Sequence, residues 1–96
     1  MSIDEFLEQA REVLITKGWI QHSCVDDTGR VCLIQALWDV GEGTWMEPYE
    51  YLQQRLGEVP IIWNDAPGRT VDEVIAMLRE EAENWRTRNI TPALAE

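Results

Sequence analysis

Trp63-Asn64-Asp65-Ala66-Pro67-Gly68-Arg69-Thr70 opens into an apolar run, Val71, Val74, Ile75, Leu78, Ala82 and Trp85, and this passage governs the reading of the whole chain. Pro67-Gly68 marks a turn, in which Pro fixes φ and Gly supplies a positive φ. Thr70 and Glu73 make a T-x-x-E capping box at the start of the run. The apolar residues then recur at helical spacing, with Asp72, Arg79, Glu80 and Glu83 on another side, which predicts a long amphipathic helix to about residue 87.

Upstream, Ser2 and Glu5 form a second box, and Ile3, Phe6, Leu7, Ala10, Val13 and Leu14 predict a helix over 3–17 that Gly18 ends. Asp4, Glu8, Arg11 and Glu12 are expected on its watered face. Asp26-Asp27-Thr28-Gly29 lies between two short apolar pieces and predicts a loop or small hairpin around residues 20–31. Val31 to Trp38 is too apolar for exposure, and its central Leu, Gln and Ala favour a buried helix over about 31–40, stopped by Gly41 and Gly43. Pro48 suits the first turn of a third helix with Tyr49, Leu52 and Leu56 inside and Gly57 past its end. Val59 to Trp63 reads as extended, because Pro60 restricts its predecessor and Ile61-Ile62 are β-branched. The expectation is an all-α bundle of about four helices forming a single domain over 1–90, with 91–96 as a flexible C-terminal tail.

Eighteen acidic residues against eight basic ones give a formal charge of −10 over 96 residues. That field repels phosphates and anionic membranes and attracts basic protein surfaces, so a protein partner is expected rather than direct nucleic-acid or membrane binding. The N-terminus lacks a signal-peptide pattern, and no apolar run approaches the roughly 20 residues of a membrane span. A cytoplasmic location with reduced Cys24 and Cys32 follows as the expectation.

In the order Gly18-Trp19-x-Gln21, Val31-Cys32-Leu33-Ile34-x-Ala36-Leu37 and Trp63-Asn64-Asp65-x-Pro67-Gly68-Arg69-Thr70, the chain resembles a family of small uncharacterised proteins from actinobacteria and their phages. The likeness spans residues 5–85. In that family the middle motif usually carries Gly where this chain has Gln35. The resemblance implies a fold and a setting, and no reaction.

Two groups of residues are candidates for a site. Trp38, Trp45, Tyr49 and Tyr51 crowd around Gly41 and Gly43, and Trp45 reads as the most exposed of them. With Glu42, Glu47 and Glu50 it would form a partner-binding hot spot, an aromatic anchor rimmed by acids. The second group is Trp63, Asn64, Asp65, Arg69 and Thr70 with Gln21. Either these residues form a rigid turn, closed by Asp65 and Arg69, or they form a polar pocket for a small ligand or for acid–base work by Asp65.

His22, Cys24 and Cys32 offer an H-x-C-x7-C set, one ligand short of the four that structural zinc takes. Neither a metal nor a cofactor is expected. Without a nucleophile–base pair or a phosphate loop the reading leans against an enzyme. It favours a small acidic protein-interaction domain, such as a phage-encoded modulator of a host protein. The alternatives are a nucleic-acid mimic and a ligand-binding domain or enzyme centred on residues 63–70.

Overall fold

A computed structural model describes residues 1–90, so the expected tail over 91–96 lies outside the described residues. Five helices are present among them: α1 Ile3–Lys17, α2 Leu33–Val40, α3 Met46–Leu56, α4 Pro60–Asn64 and α5 Val71–Ile90. The fold is all-α, as the periodicity predicts.

Helix α1 starts at the Ser2/Glu5 box, where the Ser2 N–H and hydroxyl donate to Glu5 Oε1 over 3.3 and 2.7 Å. These bonds satisfy groups that the first turn leaves without helical partners. Phe6, Leu7, Ala10 and Leu14 form its buried stripe and pack with Leu33, Ala36 and Leu37 of α2, Leu52 of α3, and Val74, Met77, Leu78 and Ala82 of α5. The α1–α5 contact is the most extensive among the described residues and carries an ionic seam that sequence spacing places in water. Asp4 is buried, and its Oδ2 accepts from Arg86 Nε at 2.8 Å, while Arg86 Nη2 reaches Glu8 Oε2 at 3.3 Å. Burial pushes the Asp4 carboxyl up, but the Ser2 hydroxyl and the Arg86 guanidinium outweigh it and hold the group below the usual carboxylate range.

Gly18 ends α1 at φ 90, with its N–H on Leu14 O, and a Cβ there would come within 2.9 Å of Arg30 Cγ. Its carbonyl accepts from Val31 N, and Val31 O accepts from Ile20 N, so Val31 is paired parallel with the Gly18–Ile20 piece. On its other side Val31 bridges Val25 in antiparallel fashion, closing the small hairpin. Asp26 holds the hairpin tip. Its Oδ1 accepts from the N–H groups of Thr28 and Arg30 and from the Thr28 hydroxyl, and its Oδ2 accepts from Arg30 Nε at 2.6 Å. Because Val31 is engaged in this pairing, α2 begins two residues later than expected. Cys32 is its N-cap, and Cys32 Sγ accepts from Gln35 N at 3.4 Å.

The expected extended piece over 59–63 is instead the short helix α4. Pro60 occupies its first turn, where no N–H is needed, and Val59 before it keeps the extended conformation that proline imposes. The helical penalty of Ile61 and Ile62 is a fraction of a kcal/mol each, small beside the burial of Pro60 and the hydrogen bonds that the turn lets the buried Asn64 amide make. Helix α5 then starts at the Thr70/Glu73 box, with Thr70 N on Glu73 Oε1 at 3.0 Å and Glu73 N on Thr70 Oγ1 at 3.3 Å.

Candidate functional site

The Trp63–Thr70 motif folds around Asn64, whose side chain is fully buried. Asn64 Oδ1 accepts from Trp19 Nε1 at 2.6 Å and from Leu33 N at 3.1 Å, while its Nδ2 donates to Ile20 O at 3.3 Å and to Asp65 Oδ1 at 2.9 Å. One amide therefore ties α4 to the segment after α1 and to the first residue of α2. Gln21 completes the tie, since its Nε2 donates to the carbonyls of Asn64 and Ala66. Gln21 and the motif do come together, with their polar atoms engaged mutually. The donor set suits a buried amide, which has both an acceptor and two donors to satisfy.

Asp65 and Arg69 do not close the turn on one another, contrary to expectation. Asp65 Oδ1 accepts from His22 N at 2.9 Å, and its Oδ2 lies 3.8 Å from His22 Nδ1. His22 holds φ 65, a left-handed conformation that a non-glycine residue adopts at a cost. Burial pushes the Asp65 carboxyl up, and the His22 N–H, the Asn64 amide and the His22 ring outweigh it to bring the group below its usual range. Arg69 turns the other way. Its guanidinium lies 3.9 Å over the Trp63 ring, Nε donates to Trp63 O at 2.9 Å, and Nη1 reaches Glu73 at 3.2 Å. Stacking and a backbone carbonyl consume the planar fork.

The aromatic candidates separate into two places. Trp38, at the end of α2, stands 6.1 Å from Trp45 between ring centroids, and Trp45 meets Tyr49 edge-on at 5.4 Å and 88°. Gly41 makes this approach possible, because a Cβ there would collide with Thr44 and with Phe6. Trp45 is only half exposed and packs against the core at the start of α3, which corrects its reading as a free loop residue. The short link from Gly41 brings it back onto the bundle. Trp38 is the exposed member at 41%, and Met46 beside Trp45 is 54% exposed. Tyr51 leaves the group and directs its hydroxyl to Glu81 on α5. Glu42, Glu47 and Glu50 are exposed, and among the described residues none of the three is held in an ion pair.

His22 and Cys24 are exposed whereas Cys32 is sealed in the core, so the H-x-C-x7-C set is split between surface and interior. Among the described residues no group of three His, Cys, Asp or Glu side chains is placed to hold a metal ion. None of the described helices is long and apolar enough to cross a membrane.

A family model described as a family of unknown function, DUF6197, matches residues 1–84. The chain belongs to that family. The matched span takes in residues 18–70 of this DUF6197 chain, and with them the Asn64 tie that joins the Trp19–Gln21 segment, the start of α2 and the end of α4. Neither curated proteins nor solved structures yield a match.

Proposed function

We propose that this chain is a small acidic interaction domain that binds a basic surface of a protein partner through the Trp38–Trp45–Tyr49 face, without catalysis. The observation that carries this reading is that exposed Trp38 and Met46 lie in the same stretch of chain as three exposed acids, Glu42, Glu47 and Glu50, that form no ion pair among the described residues. An aromatic anchor beside uncompensated carboxylates fits a partner surface with Arg or Lys around an apolar contact. The formal charge of −10 steers such a partner inward over a Debye length. The resemblance to small actinobacterial and phage proteins supports a cytoplasmic host protein as the partner class, with the chain acting as a modulator that occupies a surface.

The test is capture of partners by the tagged chain from an actinobacterial lysate. Trp38→Ala and a triple Glu42→Lys, Glu47→Lys, Glu50→Lys variant are run beside it. A basic protein held by the parent chain and lost from both variants, with unchanged melting temperatures, supports the reading. Equal capture by all three contradicts it.

A further inference from the structure

The hairpin places Cys24 and Cys32 directly across from one another. Cys32 N donates to Cys24 O at 3.0 Å, and two residues further along the Cys24 strand Asp26 N donates to Arg30 O at 3.0 Å. With Val25 bridging Val31 between them, the antiparallel register pairs Cys24 with Cys32. Opposed residues of such a pair point to the same face with Cα atoms about 5.5 Å apart, inside the range a disulfide spans. Their environments differ. Cys24 is exposed, whereas Cys32 has no accessible surface and its sulfur accepts from Gln35 N at the start of α2.

We infer that Cys24 and Cys32 are a redox pair, which a disulfide oxidant such as glutathione disulfide closes into a reversible intrachain bond. Exposure makes Cys24 the attacking residue. Its thiolate displaces one glutathione thiolate and forms a Cys24–glutathione disulfide. Cys32 then gives up its proton to solvent and attacks the Cys24 sulfur, expelling the second glutathione. Two protein thiols are oxidised by two electrons, and one glutathione disulfide is reduced to two thiols. Burial pushes the Cys32 thiol up, the Gln35 amide pulls it down, and the neighbouring Cys24 sulfur adds to the rise. A neutral buried thiol is slow to attack an external disulfide and is well placed to resolve one formed beside it.

The bond would take Cys32 Sγ away from the Gln35 amide, at the same helix end that Asn64 holds through Leu33 N. Oxidation is thus read by the tie between α2 and α4.

The folded chain is incubated with glutathione disulfide and followed by intact mass and thiol alkylation, with Cys24→Ser and Cys32→Ser in parallel. The parent chain should lose two hydrogens and both alkylatable thiols as a monomer, and a reductant should restore them. Cys32→Ser should stop at a stable glutathione adduct on Cys24, and Cys24→Ser should stay unreacted. A parent chain that ends as a glutathione adduct, as a disulfide-linked dimer or with both thiols free would overturn the proposal. Equally fast modification of Cys32 in Cys24→Ser would overturn it as well. The parent-chain result stands even if a variant folds poorly.

Discussion

The indole N–H of Trp19 donates to the side-chain oxygen of Asn64 over 2.6 Å, joining residues 45 positions apart. The same oxygen takes the Leu33 N–H, so the segment after α1, the start of α2 and the end of α4 meet at one atom. Removing it should leave two donors without partners. Asn64→Ala is expected to destabilise the fold by about 3 kcal/mol, the cost of two unsatisfied buried donors and a small cavity. A urea titration measures it as a lower midpoint at an unchanged slope. A shift under about 1 kcal/mol would mean that the amide is not the organising contact.

Thr70→Ala removes the hydroxyl that accepts from Glu73 N at 3.3 Å and should cost about 1 kcal/mol. Glu73→Gln keeps the box geometry and loses the charge paired with Arg69, so its effect should be smaller, because that ion pair is exposed. Melting curves of the two variants give the order directly.

Acid should unfold the chain through its engaged carboxylates. Hydrogen bonds from Thr28 and Arg30 overcome the opposing effect of desolvation and bring Asp26 down to about 2, and Asp4 and Asp65 are also lowered. A carboxyl with a depressed folded value binds its proton more readily in the unfolded chain, so the stabilisation is complete at neutral pH. It begins to fall as pH enters the unfolded carboxylate range near about 4, and for Asp26 the loss is finished only near about 2. Urea midpoints between pH 7 and 2.5 should stay level and then drop below about 4. In Asp26→Asn the drop should be shallower.

The two tryptophans of the exposed face should behave differently. Trp38→Ala is expected to weaken partner binding by about 2 kcal/mol with little effect on melting. Trp45→Ala is expected to cost about 2 kcal/mol of stability as well, because its ring packs between Tyr49, Trp38 and the core. Side-by-side melting and binding of the two variants separates anchor from support.

Local chemistry announced most of this fold and little of its interior wiring. The boxes at Ser2/Glu5 and Thr70/Glu73 and the apolar stripes of α1 and α5 depend on residues within one or two turns, so spacing along the chain displays them. Pairings across the chain leave no such trace. Arg86 comes to Asp4 from 82 positions away, and nothing in the helical pattern of α1 shows that its second residue faces another helix. Residues 63–70 stood out as an organised unit, but whether Asp65 would meet Arg69 or His22 depended on the left-handed turn at His22. Helix α4 was obscured because its β-branched pair argues for extended chain, while the turn brings Pro60 into the core and places Asn64 where its amide makes four hydrogen bonds to distant and neighbouring groups. Trp45 read as exposed from flanking loop residues, and the close turn at Gly41 carries it back to the core.

Backbone hydrogen exchange of the chain with and without its captured partner tests the proposed interaction face most directly. The account predicts slowed exchange confined to the end of α2, the Gly41–Thr44 link and the first turns of α3, with loss of that protection in Trp38→Ala. Protection centred instead on residues 61–67, or unchanged in Trp38→Ala, would contradict it.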